Sequence, residues 1–173
     1  MNSKIFFGII VIFIAGVIGV VSVNKSSDKE VAKVGQEQTD KGRDHLKQGE
    51  QLKYDGDEPP TSGKHGEPVP MGLYAKEIPD VNSLHNLEHG YIYISYQPDL
   101  AKDELKKLER LFFKPFSNPK FSPAKVIMAP RQANASPIVF SSWRRSEKFE
   151  SVDEQKMINY YNSNLNNSPE NVI

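Results

Sequence analysis

The chain has 173 residues, with 22 Lys+Arg against 22 Asp+Glu and no cysteine. A formally neutral chain lacks the basic surface that nucleic-acid binding needs. Without thiols there is no disulfide, no thiolate metal site and no Cys nucleophile, so a bound metal must be held by imidazole, carboxylate, thioether or backbone oxygen.

Residues 5–23 are an uncharged apolar run, Ile5 to Val23, with one Ser. At about 1.5 Å per residue this helix spans roughly 28 Å, close to the hydrocarbon thickness of a bilayer. A signal peptide is the competing reading, but the end of the run, Gly19-Val20-Val21-Ser22-Val23, makes a poor cleavage site. The expectation is an uncleaved single-pass signal-anchor, with residues 1–4 in the cytoplasm and the domain on the extracytoplasmic side. The membrane is thus an expected partner through residues 5–23. No nucleic acid is expected, and no protein partner is named by the sequence. Residues 24–41 read as a polar linker, 42–166 as the extracytoplasmic domain and 167–173 as a frayed tail.

Within the domain, Tyr54 to Pro79 is punctuated by Pro59, Pro60, Pro68, Pro70 and Pro79, so a long loop is expected. Its apolar residues Tyr54, Val69, Met71, Leu73 and Tyr74 should pack it onto the domain. Asp80 to His89 reads either as a short helix, capped by Asp80 or Asn82 and stopped at Gly90, or as an extended approach to a strand. Tyr91 to Tyr96 is aromatic and β-branched, hence a strand. Asp99 can cap a helix over 100–113, whose Leu105, Leu108, Leu111 and Phe112 share one face. Val126 to Ala129 and Pro137 to Trp143 are two further strands, expected as an antiparallel hairpin. Ser151-x-x-Glu154 is a capping box opening a last helix with Met157, Ile158, Tyr161 and Leu165 buried. The result is a single small α+β domain with a β-α-β-β-α core, a proline-rich loop packed on it and a transmembrane helix ahead of it. The two strands joined through a helix are expected to run parallel.

Chemistry concentrates in Ser83-Leu84-His85-Asn86-Leu87-Glu88-His89-Gly90. His85 and His89, four apart, project from one helical face and can reach one metal ion. The pattern His85-x-x-Glu88-His89 is also that of inverted zinc peptidases, in which the Glu activates water. That chemistry needs a third ligand on another long helix. Glu147, Glu150 and Glu154 are the acidic cluster downstream, and the short motif helix argues against the reading. The remaining histidines, His45 and His65, also fall before residue 90. Together the four make an imidazole set suited to Zn or Cu, with Glu88 as a further ligand or as a hydrogen-bond partner of one imidazole. Met71 and Met128 are expected in the core rather than as ligands. Arg144-Arg145 reads as a solvated strand end. The opposing possibility is that the histidines are structural, hydrogen-bonding the loop to the sheet in a non-catalytic interaction domain.

Tyr54, Pro59-Pro60-Thr61-Ser62-Gly63-x-His65, Gly72-x-Tyr74 and His85-Asn86-Leu87-Glu88-His89-Gly90 occur in that order. With Tyr96-x-Pro98, the Pro130 segment and Ser142-Trp143, they resemble a bacterial family of often membrane-anchored domains, the domain-of-unknown-function family 3105. The resemblance covers about residues 40–165, with Met71 standing where an aromatic residue is expected. It implies that the four histidines belong to one domain signature, and it implies no particular activity.

Overall fold

The computed structural model describes residues 32–114 and 121–170. The expected membrane span at residues 5–23 lies outside them. Among the described residues no helix is long and apolar enough to cross a membrane. The elements in chain order are β1 (Gln36–Glu37), β2 (Gly72–Leu73), α1 (Asp80–Glu88), β3 (Ile92–Tyr96), α2 (Lys102–Phe113), β4 (Val126–Pro130), β5 (Ile138–Ser142), β6 (Arg145–Phe149) and α3 (Glu154–Asn164). The strands form one mixed sheet in the order β1-β6-β5-β3-β4-β2. This is a small α+β domain.

The β3-α2-β4 unit is parallel as its connection requires, with Ile92 opposite Val126 and Tyr96 opposite Pro130. The hairpin expected between β4 and β5 does not form. β5 instead crosses to the far side of β3 and pairs with it antiparallel, Tyr93 opposite Ser141. The linking segment is drawn inward by Arg131, whose amide donates to the Tyr96 carbonyl (2.8 Å) while its side chain turns into the protein. The hairpin that does form joins β5 to β6 through Trp143-Arg144, with Arg144 in the left-handed region at φ 56°. β6 is Arg-Ser-Glu-Lys-Phe, of which only Ser146 and Phe149 are buried, so its polarity conceals it in the sequence. Gln36–Glu37, inside the segment read as a linker, add an antiparallel edge strand to β6.

Period-two alternation divides the sheet's side chains between two layers. On one face Ile92, Ile94, Met128 and Phe140 pack against Leu108, Leu111 and Phe112 of α2 and Met157, Tyr160 and Tyr161 of α3. On the other, Tyr93, Ile127, Ala129 and Trp143 pack against Leu84 and Leu87 of α1. Tyr54, Val69 and Tyr74 fasten the proline-rich loop to that second cluster. Met128 is core as expected, whereas Met71 is 56% and Leu73 44% exposed, so neither fastens the loop.

The caps differ from the expected ones. α1 begins after Pro79 with no side-chain cap, because the Asp80 carboxylate is engaged elsewhere. α2 begins after Ala101, again without a side-chain cap, so Asp99 takes no part. α3 is capped by Asp153, which accepts from the Lys156 amide at 3.1 Å, in place of the Ser151 box.

Arg131 is only 1% exposed. Its Nε and Nη2 donate to the two Asp80 oxygens at 2.9 and 2.8 Å, Nη2 also reaches the Gly56 carbonyl at 2.8 Å, and Nη1 reaches Asn134 Oδ1 at 3.2 Å. Removing one partner leaves a buried charge uncompensated. Asp80→Ala is therefore expected to lower unfolding free energy by about 3–5 kcal/mol in urea titration, and Asp80→Ala/Arg131→Met to recover a large part of the loss. A single variant as stable as the parent would remove this pair from the fold's determinants.

Candidate metal centre

The site is assembled from four segments, and each is held by main-chain contacts before its side chains are considered. His45 and His65 form a parallel β-bridge, in which Leu46 N donates to His65 O (2.7 Å) and His65 N to Asp44 O (2.9 Å). The turn before His65 depends on Gly63, at φ +130°, where a Cβ would lie 2.5 Å from the Tyr54 hydroxyl. That hydroxyl donates to the Lys64 carbonyl (2.8 Å). Gly66 N donates to Val81 O (2.9 Å), tying the loop to α1.

The motif on α1 divides its labour residue by residue. Leu84 and Leu87 are fully buried against the sheet. Asn86 accepts from Val69 N (2.9 Å) and donates to Val69 O (2.8 Å), clamping the proline-rich loop as a neighbouring strand would. His85 and Glu88 turn into the site, and His89 follows as the C-cap residue, its amide bonded to Asn86 O (3.0 Å). Gly90 stops the helix at φ +76°.

Gly90 also permits a contact absent from the sequence reading. A Cβ there would sit 2.5 Å from Asn166 Cα. Residues 166–168 are held in place: Asn166 N donates to Gly90 O (2.9 Å), Asn167 Nδ2 to Trp143 O (2.6 Å), and the Ser168 hydroxyl to Glu88 O. This strap delivers Glu170, whose Oε2 is 3.2 Å from His89 Nδ1.

Three imidazoles are thereby oriented alike. His65 Nδ1 donates to Gly63 O (2.9 Å) and His85 Nδ1 to Gly66 O (2.6 Å), while His89 Nδ1 faces the Glu170 carboxylate. Carbonyls only accept, so the ring protons of neutral His65 and His85 belong on Nδ1 and their lone pairs on Nε2, whereas His89 can donate from Nε2 to His85 or carry its proton on Nδ1 toward Glu170. The Nε2 atoms of His85 and His89 then face each other at 2.9 Å. His65 Nε2 lies 3.0 Å from Glu88 Oε2, but without hydrogen-bond geometry, and neither atom has another partner among the described residues. His65 is 0% and Glu88 1% exposed. Burial pushes the His85 imidazole below its ordinary pKa; the Gly66 carbonyl opposes this, and the neighbouring His65, His89 and His45 reinforce it.

All four expected histidines converge. His45, His65 and His85 each offer a nitrogen within 4.8 Å of the others, as do His85, Glu88 and His89 with their ligand atoms. His85 belongs to both trios. His45 is exposed and closes the solvent side, its ring centroid 4.6 Å from that of His65 and 5.1 Å from that of His85. Neither Glu147, Glu150 nor Glu154 joins these groups. Arg144 and Arg145 pair with Glu37, at 3.0 and 3.5 Å, rather than with Glu147.

A family model described as "Protein of unknown function (DUF3105)" matches residues 45–173. The chain belongs to this family. The matched region starts on His45 and takes in the whole site, including the strap. No curated protein and no solved structure matches the chain. In this DUF3105 domain, Glu170 and the carbonyls of Gly63 and Gly66 escaped the sequence reading. The sequence does show Gly63 and Gly90 beside the histidines, and each marks a close approach of another segment.

Gly90→Ala is expected to lower stability by about 1–3 kcal/mol, since it adds a strained φ and a clash with the strap. Hydrogen exchange of the Asn166 amide should accelerate with it. Unchanged protection at Asn166 would mean that the strap does not depend on Gly90.

Proposed function

We propose that this domain binds one divalent transition-metal ion, zinc or copper(II), through the Nε2 atoms of its histidines and the Glu88 carboxylate. The observation that carries the reading is the convergence of His85, Glu88 and His89, whose ligand atoms lie within 4.8 Å of one another. His85 Nδ1 donates to Gly66 O, so its Nε2 presents a lone pair toward His89 Nε2 at 2.9 Å, and an ion can take both imidazoles when the His89 ring proton is on Nδ1, toward Glu170. The buried Glu88 Oε2 has no hydrogen-bond partner among the described residues, which is costly, and a cation beside it removes the cost. Burial opposes a second proton on His85, so its Nε2 stays available as a ligand.

Ligand chemistry and charge narrow the ion. Imidazole and carboxylate suit zinc and copper(II), and no thiol is present to favour a softer ion. Met128 points into the opposite core layer. One divalent ion is balanced by Glu88 and by Glu170, the latter reaching the site through His89 in the carboxylate–histidine–metal arrangement that fixes ring orientation and raises ligand basicity. A second divalent ion would leave two excess positive charges in a largely buried site.

The Nδ1 bonds to Gly63 and Gly66 also support the structural reading, in which the histidines hold the loop on α1. The two roles use opposite nitrogens of the same rings and are compatible. We further propose that the domain is anchored by residues 5–23 on the extracytoplasmic side, a reading that rests on the apolar run alone.

Elemental analysis of the full chain purified in detergent tests the metal reading. Roughly one equivalent of zinc or copper is expected in the parent, and His85→Ala, which belongs to both trios, should lose it. Equal metal content in the two would overturn the reading. Glu170→Gln is expected to keep the ion but weaken its affinity about tenfold in chelator competition, as loss of an outer carboxylate does at histidine sites. An unchanged affinity would remove Glu170 from the site.

A further inference from the structure

The flank of the site carrying His89 is open, its side chain 38% exposed. It forms part of a groove of about 500 Å³ whose walls include Pro68, Val69, Pro70, Tyr91 and Lys125. That volume lies within the range of small-ligand sites. The walls are apolar and largely rigid: two prolines fix one side, and Asn86 spends both amide groups on the Val69 backbone.

The one charged side chain in the wall is Lys125. Its Nζ donates to Asn166 Oδ1 (2.8 Å) and to the carbonyl of His89 (3.3 Å), and lies 5.9 Å from the Tyr91 ring centroid. These acceptors are neutral, and among the described residues no carboxylate pairs with it. Its backbone is independently unusual. Lys125 has φ 53°, a conformation costing a non-glycine residue about 1 kcal/mol or more, at a position where Gly would relieve it. A long cationic side chain held at such a backbone beside a ligand-sized groove is the pattern of strain kept for function.

We propose that this groove is a subsite for a small organic carboxylate. Its anionic head meets the Lys125 ammonium on the side of the groove nearest His89. Its apolar body lies against the Pro68–Pro70 ridge and the Tyr91 ring. The proposal rests on the metal reading in one respect: the ion beyond His89 adds positive potential on the same side as Lys125, so the loaded domain is the form that binds.

Benzoate is the probe, titrated into the zinc-loaded full chain in detergent and followed by NMR, with zinc content measured first. Shifts confined to Val69, Tyr91 and Lys125 and their neighbours are expected. At equal zinc loading, Lys125→Gln should weaken benzoate about tenfold or more, the worth of a charge-assisted hydrogen bond. Pro68→Glu, a substitution at an exposed wall position, should weaken it severalfold by like-charge repulsion and guards against a folding defect at Lys125. Acetate, which has the head without the body, should bind at least tenfold more weakly. Absence of shifts in zinc-loaded protein, indifference to both substitutions, or equal binding of acetate would overturn the subsite. Failure to take up zinc would overturn the metal reading instead.

Discussion

Arg131 joins the loop, the first helix and the sheet at one point. It sits at the end of β4, and its fork of donors spans Asp80 on α1, the Gly56 carbonyl in the proline-rich region and Asn134 in the connection to β5. A buried pair of this kind gives little net stability compared with apolar residues of the same volume. Its contribution is position. α1 has nine residues, too few to be stable alone, and it has no side-chain cap. The ion pair fixes its first turn, Leu84 and Leu87 fix its inner face, and the strap at Gly90 fixes its last turn. His85, Glu88 and His89 lie between these constraints.

Orientation of the imidazoles follows from the backbone rather than from side-chain packing. Gly63 O and Gly66 O are carbonyls of a turn-rich loop, and each is aimed at a ring by a bond made elsewhere. Tyr54 and the His45–His65 bridge set the first. The Gly66 N to Val81 O bond sets the second. A carbonyl can only accept, so the loop dictates the tautomer of two histidines as well as their position. Glu170, from the opposite end of the chain, stands 3.2 Å from Nδ1 of the third. Two unrelated segments, the loop and the strap, thus face the Nδ1 atoms of three histidines, an arrangement that hydrogen bonding to the loop alone does not require.

The regular elements were legible because each carries its own periodicity. The aromatic and β-branched run of 91–96, the apolar face of 100–113 and the stripe of 154–165 all mark elements that exist, and the helix between β3 and β4 makes those strands parallel. What escaped is what depends on distant partners. β6 has only two buried residues, so no local pattern announces it. The expected β4–β5 hairpin fails because a single buried Arg131 carries the connection across β3. Asp80 was a reasonable cap from its position, but a guanidinium fifty-one residues away takes its carboxylate. At the site, the types and spacing of His85, Glu88 and His89 pointed to a ligand set, and the clustering of His45 and His65 before residue 90 placed them near it. Glu170 was invisible, since nothing in Ser168-Pro169-Glu170 distinguishes it from a surface tail. Only Gly90, which leaves room for Asn166, hints at the strap.

The proposed ion would couple metal binding to folding. Residues 42–79 contain one two-residue strand and are held on the sheet mainly by Tyr54, Val69, Tyr74 and Ile78. Ordering so long an irregular segment costs backbone entropy that few apolar contacts offset. An ion shared by His45, His65 and the α1 residues cross-links the beginning and middle of that segment to the helix. It closes loops of 20 and 40 residues, taken as the differences 65 − 45 and 85 − 45 in chain position. Loop closure of that size is where a cross-link stabilises most, and the binding free energy of a structural ion becomes folding free energy of the segment it ties down. The proline content acts in the same direction. Each proline lowers the entropy of the unfolded loop, so fewer contacts, and a weaker ion, suffice to hold the loop in the position where its carbonyls orient the histidines.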